Sequence, residues 1–433
     1  MTITNHEAAE LNSALEKKCP AVLAMLSERG KNIYFPKKGI LSQSADAKGK
    51  KINATLGTAV EDDGTPMRLG PVSELVSLPP EQVFPYAPSF GHPPLRTKWR
   101  ELIYSKNPGL NGIEISQPVV TCALTHGLSV CGYLFADPGT EIILPDIFWD
   151  NYSLIFENGY GAALKTWNFF NNGAIDTEAL KKIISADKHK KKVVLLNFPN
   201  NPTGYTPTHD EANTICRILA DSAEKGNAIT VILDDAYIGL EYEPGIITES
   251  LFARLSHAHE NILAVKLDGI TKEDYAWGFR VGFITFGNKA ADKTAYSALE
   301  NKAGGAVRGT ISNAPLISQS LILKAFTHSE YSRIKKEKYA ILKKRYDTVR
   351  ETLARETAYK QYFTALPFNS GYFMCVTLKN GIDGEKVRKI LLDEYDCGVI
   401  NMAGVIRVAY SAIGDKSIGP LFKNLYEACK KAE

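Results

Sequence analysis

The sequence predicts an α/β fold: a large domain on a mostly parallel seven-stranded sheet flanked by helices, plus a smaller α+β domain from the C-terminal part and the N-terminal arm. Three observations carry that expectation. From about residue 115 onward, short apolar runs of strand length recur, separated by helical segments. Helical patterns such as 127–136 and 177–185 fill most of the gaps, and strands alternating with helices build a parallel sheet covered on both faces. Beyond about residue 315 the texture changes to long charged helices, then a short strand-rich piece and a final helix.

In chain order, residues 1–50 form a polar, lysine-rich arm with one amphipathic helical stretch at 21–28. A large domain follows at 51–318 and a small one at 319–433. Buried strands are expected at 119–121, 141–144, 162–165, 193–196, 228–233, 262–265 and 281–286. The small domain opens with a helix over 329–356 and has strands at 371–377 and 405–410.

Composition excludes several classes. Hydrophobic content of 44% and charged content of 23% are those of an ordinary globular chain. The 51 basic and 48 acidic side chains leave a net charge of +3, too weak a field to favour nucleic acid or an anionic membrane. Lysine runs at 188–192 and 335–344 read as solvated faces. Seven scattered cysteines without a C-x-x-C pair fit neither a disulfide framework nor a zinc site, and suit a reducing cytoplasm. The polar, acidic N-terminus lacks the apolar core of a signal peptide, and no stretch has the length of a membrane span. The histidines form no H-E-x-x-H, so no metal is expected.

In open parallel sheets ligands bind at the carboxyl ends of the strands, so the polar residues that follow each strand are the informative ones. The helix start after Ala123, then Trp149, Asn201, Asp234, Tyr237, Lys272 and Arg280 converge on one rim. That set suits an anionic, aromatic, phosphorylated cofactor with a carbonyl to trap. The helix start and Arg280 would hold a phosphate. Trp149 would stack on a ring, Asp234 would keep a ring nitrogen protonated, Asn201 and Tyr237 would bond a ring hydroxyl, and Lys272 would capture the carbonyl. Neither G-x-G-x-x-G nor G-x-x-x-x-G-K-[ST] is present for a dinucleotide or a nucleoside triphosphate.

Asn201-Pro-Thr-Gly204, then Asp234-Asp-Ala-Tyr237, then Lys272 with Arg280 eight residues on, resemble the class I aminotransferases, pyridoxal-phosphate enzymes of fold type I, over roughly residues 50–410. The resemblance implies pyridoxal 5'-phosphate as cofactor. It implies Lys272 as the lysine joined to it and the mover of the Cα proton, Asp234 as partner of the pyridine nitrogen, and Tyr237 and Asn201 as ligands of the ring hydroxyl. Trp149 matches the stacking aromatic, Arg280 the phosphate arginine, and Ala123, Leu124 and Thr125 the phosphate-cradling backbone, although a small S-G or N-G pair is usual there. Gly269 stands where a serine usually gives the phosphate a hydroxyl, and the neighbouring Asp268 should point away.

The reaction implied is ping-pong exchange of an amino group between an L-amino acid and a 2-oxo acid. A C–S lyase or cyclopropane-forming synthase on the same fold is the alternative. Tyr86-Ala-Pro-Ser-Phe-Gly91 resembles the segment whose tyrosine crosses to the neighbouring subunit's phosphate, which implies a homodimer with shared sites; otherwise Tyr86 is a loop residue packed under Pro88. Arg407 matches the arginine that grips the α-carboxylate, and Gly57 lies in a segment like the one that closes over substrate. Arg308 in R-G-T-I-S-N-A-P resembles R-x-x-Y-S-N-P-P, whose arginine reads a distal carboxylate in the partner's site, or it is an exposed arginine on a Gly-rich loop. The first reading makes aspartate or glutamate the donor, with aromatic amino acids tolerated.

Overall fold

The computed structural model describes residues 5–34, 39–70, 77–186, 190–379, 381–402 and 404–433. Three helices form the N-terminal arm, α1 (His6–Lys18), α2 (Pro20–Met25) and α3 (Glu28–Asn32). The single helix expected at 21–28 is therefore broken. Ser27 is extended, and its hydroxyl accepts from the Gly30 N–H at 3.1 Å, which starts α3 afresh.

Seven strands make the central sheet: β1 (Val119–Thr121), β2 (Glu141–Pro145), β3 (Ala163–Trp167), β4 (Lys191–Asn197), β5 (Ala228–Asp234), β6 (Ile262–Gly269) and β7 (Gly282–Gly287). Their spatial order is β1-β7-β6-β5-β4-β2-β3, and only β7 runs antiparallel to its neighbours. Along β4, Val193 and Leu195 face one apolar cluster and Val194 and Leu196 the other, so both faces of the sheet are buried. Helices α4 (Pro93–Lys106), α5 (Ala123–Phe135), α6 (Thr177–Ile184), α7 (His209–Glu224) and α8 (Lys293–Ile311) supply much of the covering. Leu95, Leu180 and Leu219 of α4, α6 and α7 belong to one cluster, while Leu128 of α5 and Val307 of α8 belong to the other.

The C-terminal part carries helix α9 (Tyr331–Arg355), an antiparallel sheet of β8 (Phe363–Ala365), β9 (Phe373–Leu378), β10 (Ile400–Met402) and β11 (Val405–Ala409), and helix α10 (Asp415–Ala432). The sheet order is β8-β9-β11-β10. Ile52 and Asn53, just after the arm, pair in parallel with Cys397 and Gly398 of this part. The lysine runs are not plain solvated faces. Lys192 is a strand residue only 6% exposed. Lys335 bonds Glu273 and Asp274 at 2.7 and 3.1 Å, and Lys338 pairs with Glu61. Lys188 and His189 of the first run lie outside the described residues.

Between β4 and α7 the chain makes a tight loop that grips the small sheet. Gly204, at φ +71°, accepts at its carbonyl from the N–H groups of Asn369 and Ser370 at 2.8 and 2.9 Å. A Cβ at this position would lie 2.0 Å from the Phe373 carbonyl oxygen. The loop ends in a capping box in which Thr208 and Glu211 bond each other's backbone N–H, fixing where α7 begins. Gly204→Ala is therefore expected to lower stability by about 2–3 kcal/mol through overlap and a strained φ. An earlier midpoint in urea unfolding with unchanged slope checks it.

Candidate active site

Parallel pairing puts Asn197, the last residue of β4, opposite Asp234, the last residue of β5. Asp234 is 4% exposed. Its Oδ2 accepts from the Tyr152 hydroxyl at 2.7 Å and its Oδ1 from the Ala236 N–H at 3.2 Å. Burial raises the Asp234 carboxyl above its usual range, while the Tyr152 hydrogen bond and the charge of Lys272 oppose that rise. The Asn197 amide donates to the Asp234 carbonyl at 2.7 Å and accepts from the Asn201 N–H at 2.7 Å. One side chain thus ties the strand end to the proline-rich loop.

Lys272 follows β6 in a short helical turn whose carbonyl accepts from the Tyr372 hydroxyl at 2.9 Å. Its Nζ lies 5.2 Å from the centre of the Tyr237 ring. Displacement of water pushes its pKa down to about 8; Asp234 pulls it upward and Arg280 pushes it further down. Arg280 adopts left-handed backbone and donates from Nη1 to the Trp277 carbonyl at 3.0 Å.

Trp149, Asn201, Asp234, Tyr237, Lys272 and Arg280 line one cavity, and so do Ala123, Leu124 and Thr125 at the start of α5. Four other sequence-predicted residues are not in its lining. Arg407, 2% exposed on β11, donates from Nη2 to the Thr55 carbonyl at 2.8 Å and sits 3.5 Å from the Asn201 amide oxygen. Its guanidinium lies 4.5 Å over the Phe373 ring, and its Nε has no partner among the described residues. A Cβ on Gly57 would lie 3.9 Å from that same ring. Tyr86 is 90% exposed. Arg308 is exposed on helix α8, so the segment is not a Gly-rich loop; the helix persists through Gly304 because the Phe90 ring occupies the space a side chain would need there.

Sequence reasoning missed Tyr152, Asn197 and Thr271, which line the cavity too. Tyr152 was legible as the end of W-D-N-Y, and Asn197 as the polar last residue of an apolar strand. The Thr271 hydroxyl is buried without a partner among the described residues. At Gly269 a Cβ would sit 2.7 Å from the Val281 carbonyl oxygen, so the serine of the family pattern has no room in this strand pair. Asp268 does turn away: it accepts from the Trp99 indole at 2.9 Å and lies 3.3 Å from Lys266 Nζ.

Residues 78–419 match the family profile described as aminotransferase class I and II. The chain belongs to that family. Family members use pyridoxal 5'-phosphate. A probable N-acetyl-LL-diaminopimelate aminotransferase of Bacillus subtilis (strain 168) is 27% identical over 274 residues, 63% of each chain. An aspartate aminotransferase of Musicola paradisiaca is 24% identical over 238 residues, 53% of this chain and 54% of its own. The matches thus span just over half to under two thirds of these relatives' lengths. An aminotransferase structure from Anaerococcus prevotii superposes with a TM-score of 0.81 at 24% identity, covering 93% of this chain and 98% of that one. The aspartate aminotransferase of Thermus thermophilus with maleate gives 0.74 at 20% identity, covering 93% and 99%. These structures share the fold.

The depressed Lys272 pKa makes a signed prediction. Its ordinary value is 10.5, so the unfolded chain holds the proton over a pH range in which the native amine has lost it. The native cost of the charged amine is full below about pH 8 and relieved as pH rises toward 10.5. In apo-protein, Lys272→Met should gain stability over the parent at pH 7, and the gain should fade between pH 8 and 10.5, read as the difference in denaturant midpoints.

Proposed function

We propose that this protein is a pyridoxal-phosphate-dependent aminotransferase that moves an amino group between an L-amino acid and a 2-oxo acid. The observation that carries this reading is the single cavity in which the Asp234 carboxylate, from the end of β5, meets the Lys272 amine and the Arg280 guanidinium, both from the connection between β6 and β7. The residues fit the cofactor. The unpartnered Thr271 hydroxyl, the N–H groups at the start of α5 and Arg280 offer a seat for a phosphate dianion, with Thr271 giving the hydroxyl that Gly269 lacks. Gly282 lets the helix start approach the sheet: a Cβ there would lie 2.7 Å from the Ala123 carbonyl carbon.

When bound, the cofactor supplies an aldehyde that joins amines and a protonated ring that accepts an electron pair. Asp234, whose charged form the Tyr152 hydroxyl and the Ala236 N–H favour, would hold the proton on the ring nitrogen. Asn201 and Tyr237 bond the ring hydroxyl, and Trp149 covers a ring face. With its pKa pushed down to about 8, Lys272 gives up its proton far more readily than an ordinary lysine, which suits it to take and return the substrate Cα proton. Arg407, with its Nε unpaired, takes the α-carboxylate beside Gly57.

The active form is a homodimer. Phe84 and Tyr86 are 83% and 90% exposed on one loop, large aromatics that a second copy would cover, with Tyr86 reaching the other copy's phosphate. All seven cysteines are free, which supports a cytoplasmic setting, and no helix among the described residues is long and apolar enough to cross a membrane.

An amino donor alone, added to the cofactor-loaded protein, should convert the bound aldehyde to its amine form and shift its absorbance. Lys272→Ala should abolish that shift, and Asp234→Ala should slow it at least about a hundredfold. Release of ammonia or pyruvate without an oxo-acid acceptor would instead indicate a lyase. Sedimentation at twice 47.6 kDa checks the dimer, and a monomer would remove the shared-site reading.

A further inference from the structure

Helix α5 opens on a strained residue. Ala123 sits at φ +60°, a left-handed conformation that a residue with a Cβ seldom adopts. Such a turn persists only where the surrounding structure holds it. Two hydrogen bonds do so here. The Thr121 hydroxyl donates to the Ala123 carbonyl at 2.9 Å, and the Cys122 N–H donates to Nδ1 of the His126 ring at 3.1 Å. We propose that His126 is a positioning residue for the cofactor phosphate: by accepting from Cys122 it holds the turn that sets the first N–H groups of α5 against the cavity. The inference rests on the pyridoxal-phosphate reading and adds to it a side chain that does not itself line the cavity.

A backbone N–H can only donate, so Nδ1 is unprotonated and the neutral ring carries its proton on Nε2. That Nε2–H meets the Thr310 hydroxyl of α8 at 2.9 Å, whose own proton goes to the Ala306 carbonyl at 2.8 Å. Burial pushes the His126 pKa down, which favours the neutral ring. A charged ring would carry a proton at Nδ1 as well and would meet the Cys122 N–H donor to donor. His126 therefore acts through the backbone and not as a cation for the phosphate. The bond from Cys122 to His126 spans Ala123, Leu124 and Thr125, all of which line the cavity. Their N–H groups open the helix and lack acceptors within it, the arrangement that binds a phosphate. The buried, unpartnered Thr271 hydroxyl and Arg280 line the same cavity. A Cβ at Gly282 of β7 would lie 2.9 Å from the Ala123 Cα, so the sheet limits how far the turn can move while the two hydrogen bonds set its shape.

The test titrates full-length apo-protein with pyridoxal 5'-phosphate and with pyridoxal, which has the same ring and aldehyde but no phosphate, and follows the absorbance of the bound ring. His126→Asn puts an amide oxygen where Nδ1 stood, whereas His126→Gln puts its amide at the Nε2 end and leaves Cys122 without an acceptor. The glutamine variant should bind pyridoxal 5'-phosphate about fivefold more weakly, the loss expected for one hydrogen bond, with pyridoxal affinity unchanged within about twofold. The asparagine variant should return to near the parent. Inorganic phosphate, used as a competitor, should rank the three proteins in the same order. Nitrogen NMR of the parent gives a readout without any variant: Nδ1 should be unprotonated at neutral pH. Equal losses for the two aldehydes, an asparagine variant no better than the glutamine one, a glutamine variant equal to the parent, or a parent ring protonated at Nδ1 overturns the inference and leaves the aminotransferase reading standing. Failure of the parent to bind pyridoxal 5'-phosphate overturns that reading itself.

Discussion

Asp234 is a carboxylate held away from water at the end of a central strand, and the surrounding structure is arranged around keeping it charged. Burial pushes its pKa upward. Tyr152, the Ala236 N–H and Lys272 counter that, and each comes from a different connection at the same edge of the sheet. Strand register sets Asn197 beside Asp234, Asn197 anchors Asn201, and the loop beyond Asn201 is clamped through Gly204 onto Asn369 and Ser370, just before β9. Arg407, on β11 next to β9, is thereby fixed relative to Asp234 by a continuous run of short contacts. Loosening any link would change the distance between the group proposed to hold the cofactor ring and the group proposed to hold the substrate.

The neighbouring acids show how alternation along a strand separates chemistry from scaffolding. Asp235 points to the other side of the strand from Asp234, where it accepts from Ser250 at 2.6 Å and pairs with Lys266. Asp268 joins that same buried group through Lys266 and Trp99. Glu273, next to Lys272, is pushed up by burial but held down at about 2 by Lys106 and Lys335, so it stays charged and cannot compete for the proton that Lys272 would handle. The buried carboxylates here have dedicated cations, whereas Asp234 has hydrogen-bond donors and faces the cavity. A group meant to meet a ligand's positive charge needs that asymmetry.

The seven strands of the large sheet were legible because burial of both faces leaves nearly continuous apolar runs, a strictly local signal. Asp234 was legible for a related reason, as a polar residue that ends such a run, whereas Lys272 and Arg280 were legible from their spacing in the family pattern. Features decided by distant packing were not. Asn197 gains its place from register with β5, and Tyr152 from burial under Trp149, whose ring it meets edge-on at 5.6 Å. Gly304 and Gly305 suggested a loop, yet the Phe90 ring from a remote segment fills the space over the helix at Gly304. Lys192 read as solvated because a charged side chain in a lysine run carries no hint that its backbone continues a strand.

The two sides of Trp149 differ in physical character. The groups around Asp234 and Arg407 are enclosed, so their interactions are strong, weakly screened by salt and intolerant of displacement. Where the arm meets the segment after Trp149 the groups are more open to water: Glu7 is half-buried and Asp150 exposed, and charged contacts at such sites contribute little. Neither side chain belongs to the run of contacts that joins Asp234 to Arg407.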